Sequence, residues 1–111
     1  MPLPILSGPF VLSVGAVEEA IRGKISGVYV LSTKAGGDIN CRRVGRADDD
    51  LGMTIKDFVG LYSHFSYASA LSPAQAYAME CEFYHSGKLP ENPAHPMKPA
   101  GCHWICPVCR Q

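Results

Sequence analysis

The sequence predicts a small α+β domain: a three-stranded antiparallel sheet flanked by helices, with the chain closing in a cysteine knuckle. Three observations carry this reading. Ser26-Gly27-Val28-Tyr29-Val30-Leu31 is an apolar, β-branched run that reads as a buried central strand. A second run over 40–46 follows across Gly36-Gly37-Asp38, so the two form a β-hairpin. Elsewhere apolar residues recur at helical spacing, and three of the five cysteines fall in the last ten residues.

The 111 residues suffice for one domain spanning 1–111 with one core. Hydrophobic residues make up 47% and charged ones 18%, which excludes a disordered chain. No apolar run is long enough to cross a membrane. No Lys or Arg precedes Arg22, and Pro2, Pro4 and Pro9 interrupt the apolar start, so no leader is expected and the cytoplasm is the expected location. Ten basic residues balance ten acidic ones, which argues against tight, non-specific binding to nucleic acid. The basic residues are not evenly spread: Lys34, Arg42, Arg43 and Arg46 lie on or beside the hairpin.

Residues 1–12 read as an extended lead-in, because the prolines block a helix. Ser13 is an N-cap signal, and Val14, Val17, Ala20 and Ile21 predict a helix over 14–23, stopped near Gly23. After the hairpin, Asp48-Asp49-Asp50 reads as a solvated turn and helix start. Leu51, Ile55, Phe58 and Val59 predict a helix over 51–60, with Gly60 as its stop. The alternation in 64–68 predicts the third strand. Ser72 followed by Pro73 is a cap with Pro at the first helical position, and a helix is expected from there to His85. Residues 87–111 read as a Pro-rich coil ending in a possible zinc knuckle.

Cys106-Pro107-Val108-Cys109 has the spacing of a tetrahedral zinc knuckle, and in a cytoplasmic chain clustered cysteines point to metal more than to disulfides. Cys81 and His85, four apart on the last helix, would share one face and supply two further ligands. The favoured structural set is Cys81, His85, Cys106 and Cys109, with Cys102, His95 and His103 as competitors; a redox-active or inert CxxC is the alternative. Cys41 is expected to be a buried strand thiol.

Gly27-Val28-Tyr29 followed by Arg43-Val44-Gly45 resembles the two name-giving motifs of the GIY-YIG nuclease superfamily. The order strand, strand, helix, strand, helix is that of the superfamily, and the resemblance covers roughly 26–109. Gly45-Arg46-Ala47-Asp48 with Leu51, and the ending Trp104-Ile105-Cys106-Pro107-Val108-Cys109, resemble one of its subgroups. The resemblance implies a metal-dependent endonuclease hydrolysing phosphodiester bonds in DNA. Glu80 would hold Mg²⁺ or Mn²⁺, and Tyr29 would be the base or its relay. Arg46 would contact phosphate, and Asn92 would position the scissile group or order the loop around Glu80. Lys34, Arg42, Arg43 and Lys56 would add nucleic-acid contacts.

Three positions depart from that pattern. Arg43 stands where the second motif has Tyr, Thr54 where the following helix has Arg, and Phe58 where Tyr or His is usual. Arg43 or Lys56 would have to supply the missing cation. The alternative function is therefore a degenerate module that keeps the fold and binds nucleic acid or a protein partner. A zinc-stabilised interaction module unrelated to nucleases would require Tyr29 and Glu80 to lie apart. Taken without the resemblance, Glu80 reads as an exposed helical carboxylate like Glu82 and Tyr29 as a core aromatic. Arg46 likewise reads as a solvated strand end, and Asn92 as a turn residue before Pro93. A protein partner for recruitment is compatible with so small a domain.

Overall fold

The computed structural model describes residues 5–86, 91 and 95–110. Its elements, in order, are β1 (Ser7–Val11), α1 (Val14–Ala20), β2 (Ser26–Ala35), β3 (Asp38–Ala47), α2 (Leu51–Lys56), β4 (His64–Ala70) and α3 (Pro73–His85). The strands form one antiparallel sheet in the order β1-β4-β2-β3. The sheet thus has four strands rather than the expected three. The extra strand, β1, runs through the stretch read as a lead-in. It is an edge strand, where Pro9 costs no ladder bond on the outer side, and its register with β4 shifts between Ser7 and Phe10 to accommodate Gly8-Pro9.

Both faces of β2 are covered. Tyr29 and Leu31 pack with Val17 of α1, Ile21 just beyond it, and Leu51 and Ile55 of α2. Val28 and Val30 point the other way and pack with Val44 and with Phe83 of α3. Burial on both faces explains why this strand reads as a continuous apolar run instead of an alternation. Gly36 and Gly37 both take positive φ, 58° and 94°, as the tight hairpin turn requires.

The helix starts follow their caps. Ser13 accepts from Ala16 N, Asp50 from Met53 N and Ser72 from Gln75 N. Two helices are shorter than periodicity predicts. α1 stops at Ala20, and α2 stops at Lys56, leaving Phe58 and Val59 in the turn beyond it. Phe58 still packs on the core from that turn, so its helical spacing is coincidental. Cys41 is exposed, not buried as expected, because it lies on the distal half of β3, whose residues from Asp38 to Cys41 are all exposed.

The ladder between β2 and β3 contains one irregularity. Leu31 pairs with Arg43 and Ser32 with Cys41, so Arg42 is the extra residue of a bulge. Its carbonyl accepts from Glu91 N at 2.9 Å, and its Nε donates to Glu91 Oε2 at 2.9 Å. No helix among the described residues is long and apolar enough to cross a membrane.

Gly27 is fixed by crowding. A Cβ there would meet the Ala68 carbonyl of β4 and lie 2.8 Å from Leu51 Cδ2. Gly27→Ala is expected to destabilise the fold by about 1–3 kcal/mol, as overpacking does, read as a lower urea midpoint at unchanged slope.

Candidate active site

A pocket of about 310 Å³ is lined by Tyr29, Arg43, Val44, Gly45, Arg46, Asp48, Glu80 and Met97. It straddles β3, an edge strand of the sheet. Arg43 and Gly45 belong to the face that carries Tyr29, whereas Val44 and Arg46 belong to the face covered by α3. The Tyr29 ring lies directly over Gly45, where any Cβ would collide with the ring and hydroxyl. Gly45 is thus the gap through which a tyrosine rooted in one face reaches the strand edge and the groups of the other.

Arg46 organises the α3 side. Its Nη1 donates to Glu80 Oε1 at 2.8 Å, its Nε to Asp48 Oδ1 at 3.0 Å, and its Nη2 to the Met97 carbonyl at 2.5 Å. Its guanidinium also lies 5.2 Å from the Tyr77 ring centre and 5.8 Å from that of Trp104. Glu80 is not the exposed helical carboxylate that its neighbour suggests: it is 8% exposed. Burial pushes its carboxyl above the ordinary range, and Arg46 pulls it only part of the way back. Burial also works against the charge on Arg46, but its bonds to Glu80 and Asp48 outweigh this and hold its pKa up. Among the described residues nothing hydrogen-bonds to Glu80 Oε2.

On the other side, Tyr29 is 5% exposed, and its ring lies 5.7 Å from Phe58. Burial raises its hydroxyl to about 12, against the opposing pull of Arg43. The phenol therefore stays protonated at neutral pH and is a hydrogen-bond donor in the protein as it stands. Arg43 lies 5.3 Å over the Phe58 ring, and its Nε is buried without a partner among the described residues. Burial, together with the bond that its hydroxyl donates to Glu91 Oε1, raises the neighbouring Tyr62 above the ordinary tyrosine value, against the opposing pull of Arg43.

The structure brings together Tyr29, Arg43, Arg46 and Glu80. It does not bring Lys56 to them: Lys56 pairs with Glu18 at 2.9 Å and lines a separate hollow of about 370 Å³ between α1 and α2. Lys34 is on the exposed distal hairpin, opposite Ile39, and Arg42 is tied to Glu91. Thr54 is turned back on its own helix, its hydroxyl bonded to the Asp50 carbonyl at 2.9 Å. Asn92 lies outside the described residues.

No protein-family profile, curated protein or solved structure matches this chain. The site must be read from its own chemistry.

Two residues in that chemistry were given no site role from the sequence. Asp48 stands in the Gly45-Arg46-Ala47-Asp48 motif and in an acidic turn, and it is a partner of Arg46. Met97 sits in the Pro-rich coil, which carries no signal for it, yet its carbonyl closes the pocket.

A second group lies in the tail. One ligand atom each from His85, His95, Cys106 and Cys109 falls within 4.8 Å of the others, so the cluster could hold a metal ion. The gathered group differs from the favoured set by one residue: His95, one of the competitors, stands with His85, Cys106 and Cys109, and Cys81 does not. Cys81 is fully buried, packed with Tyr77 and Cys106, and burial raises its thiol to about 12. Cys106 behaves oppositely. Burial would raise it, but the N–H groups of Cys109 and Val108, with His95, bring it down to about 5.

Proposed function

We propose that this protein is a metal-dependent endonuclease that hydrolyses phosphodiester bonds in DNA, using the pocket at the β3 edge. The observation that carries the reading is the convergence of Tyr29, Arg43, Arg46 and the buried Glu80 on one pocket, although they come from three elements. The resemblance to GIY-YIG nucleases implies a grouping of Tyr29, Arg46 and Glu80, and the arrival of Glu80 from α3 beside the β2–β3 hairpin supports that reading.

Glu80 suits a hard divalent cation. It is a nearly buried carboxylate with one oxygen free of hydrogen bonds among the described residues, and Mg²⁺ or Mn²⁺ binds through one or two carboxylates plus substrate phosphate. When bound, such an ion neutralises charge on the scissile phosphate and activates water. Arg46, fixed by Asp48, turns from Glu80 toward a phosphate oxygen. Arg43 supplies a second cation from the opposite side. The Tyr29 hydroxyl, held protonated, accepts a hydrogen bond from the attacking water and takes the water's proton as it passes its own to a phosphate oxygen; it is not a free phenolate base. The second metal of this reading is zinc, structural, in the His/Cys cluster of the tail.

The test is cleavage of supercoiled, linear and branched DNA with Mg²⁺ or Mn²⁺. Cleavage that chelation abolishes and readdition restores supports the reading, and no cleavage of any substrate by folded protein overturns it. The rate is also expected to fall on acidification at a pH above 4.5, the ordinary value for a glutamate, because Glu80 must be ionised to bind metal and its pKa is raised. A pH profile with its acid limb at or below 4.5 would exclude Glu80 as the controlling group.

One observation favours a second reading, a degenerate module that binds nucleic acid or a protein partner in the cytoplasm. Arg46 occupies Glu80 Oε1, and the Met97 carbonyl caps Arg46, so these two opposite charges already satisfy each other. Such a module would bind DNA or a partner protein without cutting DNA.

A further inference from the structure

We propose that His85, His95, Cys106 and Cys109 hold a zinc ion, and that this ion fixes the segment around Met97 against Arg46. This deepens the structural-zinc reading and rests on it, but the ligand set stands apart from any claim about DNA.

The donor atoms are already gathered. Ligands on a tetrahedral zinc, at about 2.0–2.3 Å from it, lie roughly 3.3–3.8 Å from each other. The four atoms here are within 4.8 Å of one another, and Cys109 Sγ is 3.3 Å from His95 Nε2. Small movements close the site. His95 Nδ1 lies 3.0 Å from the Pro96 carbonyl, so that nitrogen carries the proton and Nε2 presents its lone pair to the cluster. His85 Nε2 is buried with no hydrogen-bond partner among the described residues, an arrangement that a metal bond would satisfy. The knuckle is built as a tight turn: Cys109 N points at Cys106 Sγ at 3.5 Å, and Arg110 N donates to the Cys106 carbonyl at 2.9 Å.

The donor types select the ion. Two thiolates and two imidazoles in a compact set suit zinc and are poor ligands for Mg²⁺. All four positions are protein side chains, so no site is left for water or substrate, and the ion is structural.

The consequence lies in the connectivity. His85 ends α3, His95 stands in the coil after it and the knuckle follows at 106–109. Met97 and Trp104 sit between these anchors, and both contact Arg46: the carbonyl of one at 2.5 Å, the ring of the other at 5.8 Å. The described residues of 95–110 contain no helix or strand. Four metal bonds would therefore supply much of what holds this coil, and with it one wall of the pocket.

The test uses the full chain, purified with thiols reduced. Elemental analysis should find about one zinc per chain, and Co²⁺ exchanged into the site should give the intense visible bands of a tetrahedral thiolate site. His95→Ala and Cys109→Ala should each lose most of the metal, whereas Cys81→Ala should keep it. His95→Cys, which restores a ligand, should bind cobalt again with stronger thiolate absorption, separating ligation from misfolding. Chelation should speed amide hydrogen exchange over 95–110 while the β2–β3 ladder stays protected. Zinc retained in His95→Ala but lost in Cys81→Ala would overturn the ligand set. Exchange around Met97 unchanged by chelation would overturn the coupling to Arg46. Zinc bound as described in a protein that cleaves no DNA would refute the nuclease and leave this site intact. Cleavage by a chain that takes up no zinc would do the reverse.

Discussion

Glu80→Gln is expected to lower metal-dependent cleavage by at least about 10²-fold while the protein melts no lower than wild type. Two properties of the site lead there. The first is chemical. Glu80 is the carboxylate of the pocket that combines near-complete burial with an oxygen free of hydrogen bonds among the described residues, and an amide is a far poorer ligand for Mg²⁺. The second is thermodynamic. Because burial raises the Glu80 pKa, the folded state holds the proton more tightly than the unfolded state. The stabilisation this gives is complete below the ordinary value of 4.5 and is lost as pH rises through the raised one. At neutral pH wild type thus carries a buried charge that glutamine lacks, while the glutamine amide oxygen can still accept from Arg46 Nη1. Thermal melts at neutral pH, beside cleavage rates, separate the two properties. A variant that unfolds would make Glu80 a structural residue, and one that cuts at the wild-type rate would remove it from the chemistry.

The same residue shows where sequence reading stops. The helix carrying it was legible to the residue, because Ser72 and Pro73 are strong start signals and both act as expected. Its burial was not, since Glu80 is covered by Arg46 from β3 and flanked by Met97 from the tail, contacts with no local signature. The hairpin was legible because a Gly-Gly-Asp turn directly follows an apolar, β-branched run and leaves few alternatives for the segment after it. β1 was not, because proline signals the absence of a helix and does not distinguish an edge strand from coil. In the tail, spacing placed Cys81 and His85 on the same helix face, and they do share it. Which of them meets the knuckle depends on how the coil returns. It lays Trp104 over Tyr77, 5.7 Å between ring centres, and brings His95 to the cluster, leaving Cys81 beneath in apolar packing. Helical periodicity likewise placed Phe58 on α2, although the helix ends two residues earlier.

Arg43→Ala is expected to reduce cleavage by about 10²–10³-fold, the usual cost of losing a group that stabilises charge on the reacting phosphate, and Lys56→Ala to change it less than about twofold. Both residues were candidates for the cation that Thr54 fails to supply, and geometry separates them. Lys56 is on α2, like Thr54, but its ammonium points to Glu18 of α1 and away from Tyr29. Losing that largely exposed pair costs stability of about 0–1 kcal/mol. Arg43 lines the pocket, stacks on Phe58 and bears on Tyr29. On the proposed nuclease reading, the departures at positions 43 and 58 are one compensated change: an aromatic surface at 58 holds a guanidinium that comes from β3 instead of α2. Arg43→Lys should recover little of the loss, since an ammonium keeps the charge but not the planar stacking or the forked donors. Removing Arg43 also removes the charge that opposes burial at Tyr29, so the hydroxyl titrates still higher in Arg43→Ala. An ultraviolet titration of the tyrosines reads that shift without any cleavage assay. A full rate in Arg43→Ala together with a lost rate in Lys56→Ala would reverse the assignment and require α2 to turn its polar face toward the DNA.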